Sequence, residues 1–124
     1  MGKERFIRQR GVILQRAIAR VFMKEIHDPE WDSFISVTRV EVSKDWRCAK
    51  VFVSTIGGQE QQENAMLLIE KYRGWISACT AKKVSMRIFP KLSFHYDYEL
   101  QKEVNLDLML SQLGREHEGN QGND

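Results

Sequence analysis

Arginine and lysine residues gather in two separate blocks of this 124-residue chain. The first 24 residues carry a net charge of +6, and residues 71–96 carry another +6 without a single acidic residue. The blocks 25–70 and 97–124 each carry −5, so the whole chain has only +2. Cations clustered in this way bind phosphate groups when folding brings them to one surface. We therefore expect one positive face for a polyanion, against the plainer interpretation that the charges decorate solvated helices.

Two histidine and aspartate pairs are the only arrangements that suggest acid–base chemistry. His27 precedes Asp28, and His95 and Asp97 alternate on one side of a predicted strand. Neither pair has a serine or cysteine nucleophile or a glycine-rich phosphate loop placed to use it. The two cysteines are isolated and the three histidines have no metal-ligand spacing. We expect a protein that is not an enzyme, with no catalytic residue, no metal and no cofactor.

A long amphipathic helix is predicted from Glu4 to Ile26, with an apolar stripe at helical spacing and a ridge of cations on another side. Gly11 weakens its first part by up to about 1 kcal/mol relative to alanine. The helix should end before Pro29, because the residue that precedes a proline is pushed out of the helical region.

A β-hairpin is predicted from Phe34 to Thr55, where two runs rich in valine, phenylalanine and threonine flank a polar turn at residues 43–45. One side of such a ribbon must be covered, since two strands alone are marginal in water. Alternation predicts the following sides: Ile35 and Val37 on one side of the first strand, Thr38, Val40 and Val42 on the other, and Ala49, Val51 and Val53 in one apolar row of the second.

Two helices are predicted next, Gln59 to Tyr72 and a second one up to Lys83, meeting at an angle near Gly74. A glycine there either takes the left-handed conformation that ends a helix or permits the close approach of another backbone. The third predicted strand runs from Met86 to Tyr96 and is interrupted at Pro90.

The C-terminal part is predicted to contain a short helix, capped by Asp97 and ending near Leu113, and then a disordered polar tail over residues 114–124. Residues 1–113 thus form one α+β domain in which helices cover one face of a three-stranded sheet. No apolar run reaches the roughly 20 residues of a membrane span, and no signal peptide is visible, so we expect a cytoplasmic protein.

Three segments together resemble the ribosome-binding factor A family of bacterial small-subunit assembly factors. They are Asp28-Pro29 after a basic helix, residues 37–54 (VTRVEVSKDWRCAKVFVS) and residues 87–97 (RIFPKLSFHYD). The resemblance runs from about Arg5 to Leu113. It implies a type II KH-like fold of order α-β-β-α-α-β, in which the usual G-x-x-G loop is replaced by an interhelical kink of the form Ala-x-Gly. Tyr72-Arg73-Gly74 aligns with that kink, with tyrosine where the family has alanine.

The resemblance also implies a role: binding of precursor 16S rRNA and free 30S subunits during late maturation, including growth in the cold. We expect a monomer that does not bind membranes. The alternative is a basic-faced protein-interaction module, or a general single-stranded RNA-binding module, unrelated to ribosome assembly. For Trp75, base stacking competes with a place in the core, which its spacing to Ile76 and Cys79 favours. The predicted RNA-binding residues are Arg5, Arg8, Arg16, Arg20, Arg73, Gly74, Trp75, Lys82, Lys83, Arg87 and Lys91.

Overall fold

A computed structural model describes residues 2–31 and 34–99, with side chains from residue 9 onward, and its element order is the predicted one. The predicted C-terminal helix, the boundary at residue 113 and the polar tail lie outside the described residues. The elements are α1 (Gly2–Lys24), β1 (Ser36–Val42), β2 (Cys48–Ser54), α2 (Gln59–Lys71), α3 (Arg73–Lys83) and β3 (Lys91–Tyr96).

The sheet has the order β1-β2-β3, with β2 antiparallel to β1 and parallel to β3. A parallel pair needs a crossover, and α2 and α3 supply it. The apolar row of β2 is confirmed, because Ala49, Val51 and Val53 are each at most 1% exposed. With Leu92 and Phe94 of β3, this row forms the sheet side of the core, and the three helices supply the other side.

A β-bulge in β1 corrects the predicted sides of that strand. Val37 pairs with Val53, but the next pair joins Arg39 to Phe52, so Thr38 is an extra residue. Beyond the bulge, Val40 comes opposite Val51, on the same side as Val37, and both pack against the core together with Val42. Simple alternation fails here because one bulged residue reverses the side of every residue that follows.

The bulge has specific partners on two other elements. The Gln15 amide of α1 donates to the carbonyls of Val37 and Thr38, at 3.4 and 3.3 Å. The Thr38 hydroxyl contacts the Phe52 carbonyl at 3.2 Å and Asp97 Oδ2 at 2.5 Å. These contacts satisfy groups at the place where the ladder is interrupted.

The third strand is shorter than predicted. It begins at Lys91, opposite Cys48, which is the first residue of β2. Residues 86–90 therefore have no β2 residue beside them to pair with, and Pro90 has no N–H to donate to a ladder. The Lys91 N–H bonds the Arg47 carbonyl at 2.8 Å and starts the pairing.

Helix α1 crosses β1 at Gly11. This close approach explains why a glycine occupies a helical position for which its intrinsic propensity is poor. A Cβ built on Gly11 would lie 2.8 Å from the Val40 carbonyl oxygen. Any larger residue must push the helix away from the strand, although Leu14, Ile18 and Val21 of the same helix are fully buried against the sheet.

We predict that Gly11→Ala destabilises the protein even though alanine is the better helix former. Overpacking costs about 1–3 kcal/mol, against a gain of about 1 kcal/mol from helix propensity. Urea unfolding should show a net loss of up to about 2 kcal/mol. Gly74→Ala is the matched control, because no atom of the described residues lies within 4 Å of the added methyl, so its stability should be equal or higher. Equal stability of both variants would contradict the close approach.

Candidate nucleic-acid interface

Helix α3 lies beside α1 and brings the two basic blocks of the sequence together. The Trp75 indole N–H donates to the Glu25 carbonyl just after α1, at 2.8 Å, and Lys83 Nζ lies 3.3 Å from the Glu25 carboxylate. Toward the middle of α1, a small cleft is lined by residues 9, 10 and 13 together with residues 85 and 86. The first basic block therefore adjoins residues 75–86 of the second from the middle of α1 to just past its C-terminal end.

The exposed predicted RNA-binding cations on α1, on α3 and just after α3 are what we call the helix face. Arg16 and Arg20 are exposed on α1, because the apolar stripe of that helix is turned toward the sheet. Arg5 and Arg8 belong to α1, but their side chains lie outside the described part of the chain. The helix face consists of Arg16, Arg20, Arg73, Lys82, Lys83 and Arg87, all of them exposed.

Two carboxylates moderate the charge of the helix face, and sequence reasoning did not assign either of them. Glu25 pairs with Lys83 at 3.3 Å. Glu70 lies 3.7 Å from Arg73, three residues later in the chain. Both pairs are solvent-accessible, so each contributes little to stability and leaves the cation able to exchange partners.

Trp75 is not a core residue, so the interpretation favoured by its spacing is wrong. Its side chain is 52% exposed, whereas Ile76 and Cys79 are buried. The indole N–H bond to Glu25 holds the ring where α1 and α3 meet. An exposed ring held at one edge offers a stable stacking surface for a planar ligand.

The kink between α2 and α3 lies at Tyr72 and not at Gly74. Tyr72 has φ −102° and ψ 11°, and its carbonyl accepts the Ile76 N–H at 2.8 Å. Gly74 is already inside α3 and has no positive φ. Neither predicted reason for this glycine holds within residues 2–31 and 34–99, since none of their atoms comes within 4 Å of a Cβ placed on it. The first turn of α3, directly after the kink, thus has an open backbone at Gly74.

Tyr72 fastens the loop after α1 to this kink. Its hydroxyl donates a short hydrogen bond to Asp28, and its ring meets Trp31 edge-on with centroids 6.4 Å apart. Lys71 adds an ion pair with Asp28 at 3.5 Å. The bulky ring is therefore half-buried against the loop, neither wedged between the helices nor turned to solvent, a placement that no local sequence signal foretold.

Charge and hydrogen bonding shift three pKa values in this cluster. The Tyr72 hydroxyl, followed by the Glu30 N–H and Lys71, lowers the pKa of Asp28. The same hydrogen bond, helped by desolvation, raises the pKa of Tyr72. The pKa of Lys71 is raised, first by the charge of the Tyr72 phenolate and then by Asp28. The ionised Asp28 carboxylate and the protonated Tyr72 and Lys71 are therefore the forms that the folded state favours. The cluster stabilises the fold at pH values above the titration of Asp28 and below the titrations of Tyr72 and Lys71.

Lys91 is separated from the other predicted residues. It is the exposed first residue of β3, and its neighbour Leu92 is buried against the helices. Side chains alternate along a strand, so Lys91 points to the sheet face opposite α1, α2 and α3. The structure thus places the predicted cations on two faces.

The two acid–base pairs considered from the sequence have other partners. Asp28 is bound to Tyr72 and Lys71. Asp97 is 4% exposed and accepts the Thr38 hydroxyl, whereas exposed His95 contacts Ser93 at 2.9 Å. Within residues 2–31 and 34–99, no group of three or more histidine, cysteine or acidic side chains is placed to hold a metal ion.

Comparison with known proteins agrees with this arrangement of elements. The sequence model for ribosome-binding factor A matches residues 7–110. The chain belongs to the ribosome-binding factor A family. Ribosome-binding factor A of Protochlamydia amoebophila is 32% identical over 110 residues, which cover 89% of this chain and 84% of that protein.

Solved ribosome-binding factor A structures share the fold. The crystal structure from Thermus thermophilus has 26% identity and a TM-score of 0.60, covering 71% of this chain and 91% of that one. A second T. thermophilus structure, a homology model fitted into the cryo-EM map of a 30S–RbfA complex, has 27% identity, a TM-score of 0.56, and coverage of 68% and 88%. The KH-like fold implied by the resemblance is confirmed. No helix of the part that the structure describes is long and apolar enough to cross a membrane.

For this family member we predict that Tyr72→Phe reduces stability in a pH-dependent way. The depressed pKa of Asp28 contributes stability that is fully present above its ordinary value of about 4 and is lost as pH falls through the lowered value. Removing the hydroxyl raises the pKa of Asp28 toward its ordinary value. The difference in free energy of unfolding between wild type and variant should therefore be largest at neutral pH and smaller at pH 3. Urea unfolding at both pH values measures it.

The control is Tyr72→Phe in an Asp28→Ala background, where the hydroxyl has lost its acceptor and the phenylalanine should cost little. A difference that is equally large at pH 3 and pH 7 would mean that the hydroxyl does not act on the ionised carboxylate.

Proposed function

We propose that this protein is a non-enzymatic assembly factor that binds immature 30S subunits through precursor 16S rRNA. It acts in the cytoplasm, as a monomer and without membrane contact, during late maturation, and it supports growth in the cold. Membership of the ribosome-binding factor A family supports the ribosomal target. A relative fitted into the map of a 30S–RbfA complex supports the small subunit as the partner.

The observation that carries the proposal is the packing of α3 beside α1, which gathers cations from both basic blocks on the helix face. Phosphate contacts from arginine and lysine supply most of the affinity for RNA without reading its sequence. Arg5 and Arg8 extend this set toward the N-terminus in our proposal, and Trp75 provides a surface for one unpaired base.

The direct test is binding of the purified protein to immature 30S particles and to free precursor 16S rRNA over a range of salt. If about six phosphates are engaged, affinity should fall on the order of a thousandfold between 50 and 200 mM salt. A fourfold loss or less would contradict a phosphate-binding face. Equal binding to a polyacidic peptide would point to a protein-interaction module instead, and equal binding to unrelated unpaired RNA to a general RNA-binding module.

Arg16→Gln with Arg20→Gln should weaken rRNA binding and reduce the salt slope by about 2, since each phosphate contact contributes about 1. Both side chains are exposed, so stability should stay within about 0.5 kcal/mol. Gln59→Glu with Asn64→Glu is the matched control, because it changes net charge by the same amount on exposed positions of α2. If both pairs weaken binding equally, total charge and not the helix face is responsible.

Gly74→Ala tests whether RNA lies on the open first turn of α3, next to the kink. The added methyl touches no atom of the part of the chain that the structure describes, so folding should be unaffected. A methyl group at a site of close backbone approach displaces the ligand, and we expect rRNA affinity to fall several-fold in filter binding. Unchanged affinity would remove Gly74 from the interface and leave the flanking cations in place.

A further inference from the structure

The sheet face opposite α1, α2 and α3 carries a row of flat side chains that crosses all three strands. Arg39 of β1 pairs in register with Phe52 of β2, which pairs with His95 of β3. The Arg39 guanidinium lies 3.9 Å from the centre of the Phe52 ring. The His95 ring is 5.6 Å from Phe52 and tilted by 35°. Three π-systems therefore lie in contact with one another on the face of the sheet opposite α1, α2 and α3.

Two lysines lie on the same face of the sheet as this row, at a distance along the strands. Lys50 is two residues before Phe52 on β2, and Lys91 is four residues before His95 on β3. At the rise of an extended strand, they lie about 7 and 13 Å from the ring row. Lys91 is the predicted RNA-binding residue that the fold separates from the helix face, and Lys50 was not singled out from the sequence.

The charge of this face is unevenly balanced. Arg39 contacts three carboxylates, Glu41 at 2.7 Å, Glu99 at 3.5 Å and Asp97 at 3.6 Å, so its charge is compensated. Neither Lys50 nor Lys91 forms an ion pair with a carboxylate in the described ranges. On this face, the charge of Arg39 is neutralised by carboxylates of the protein, whereas Lys50 and Lys91 can pair with an external anion.

We infer that this open face is a second RNA-binding surface, which takes single-stranded RNA. An unpaired base stacks on the exposed His95 ring, which lies against Phe52, and Lys50 and Lys91 contact phosphates of the neighbouring nucleotides. The inference rests on the proposed function only for the identity of the ligand as RNA. A sheet face with an exposed histidine ring beside a half-buried phenylalanine suits splayed bases, and the lysines complement a backbone with one negative charge per nucleotide.

The charge test uses Lys50→Gln with Lys91→Gln, a fluorescein-labelled, unstructured twelve-nucleotide RNA and a twelve-base-pair RNA duplex. Binding of the single strand should weaken on the order of tenfold, and its salt slope should fall by about 1.4, since each contact to a single strand contributes about 0.7. Binding of the duplex should be unchanged. Gln59→Glu with Asn64→Glu, which makes the same change in net charge on α2, should leave both ligands unaffected.

The stacking test separates the rings from the lysines. His95→Ala should weaken single-strand binding on the order of tenfold without changing the salt slope, because stacking on a ring involves no counterion. Phe52→Leu keeps an apolar side chain under Arg39 and should give a similar loss. In the wild type, RNA carrying 4-thiouridine should cross-link under ultraviolet light to peptides that contain residue 52 or 95.

Three outcomes overturn the inference. One is unchanged single-strand binding in the lysine and ring variants. Another is cross-linking confined to the peptide that contains Trp75. A third is a lysine or ring variant that associates less with 30S particles but binds free RNA as well as the wild type does, which would assign the face to a protein partner.

The proposed function and this inference fail separately. If only Arg16→Gln with Arg20→Gln loses 30S binding, the proposed function stands and the second surface is contradicted. If only the lysine and ring variants lose it, the second surface is supported and the helix face is not the binding site.

Discussion

The contact between the backbone of α1 at Gly11 and the Val40 carbonyl of β1 sets the distance between the long helix and the sheet. With the helix at this distance, its apolar stripe fills the core and its exposed arginines are directed outward. Arg10 is then close enough to stack on Trp46 in the hairpin turn, with its guanidinium 3.8 Å from the ring centre. Helix α3 packs beside α1 in turn, so the composition of the helix face follows from one close approach.

Most of the architecture could be predicted from local patterns. Helical spacing in α1, alternation in β2 and the order of elements were all visible in the sequence, because each depends on residues that are close in the chain. The details that were missed depend on distant partners. The start of β3 is set by the first residue of β2, and the side of Val40 is set by a bulge whose contacts come from Gln15 and Asp97.

The candidate site was predicted in part, for the same reason. Clustering of cations indicated which residues could meet phosphate, but their distribution over two faces follows from strand alternation at Lys91 and from the packing of α3. For Trp75, which was among the predicted RNA-binding residues, the spacing still favoured a place in the core, because an exposed tryptophan and a buried one have the same spacing in sequence. Only the contact with Glu25, fifty residues away in the chain, distinguishes them.

The extra residue in β1 has a consequence for how the length of this strand can vary. Without Thr38, the strand would return to even alternation and its valines would still be directed inward. What a shortened chain would lose is the hydroxyl that joins the central strand to the carboxylate following the last one. Such a chain would keep its hydrophobic core but lose the hydrogen bonds at the edge of the sheet. The role of Thr38 is therefore to connect β1 to β2 and to the residue after β3.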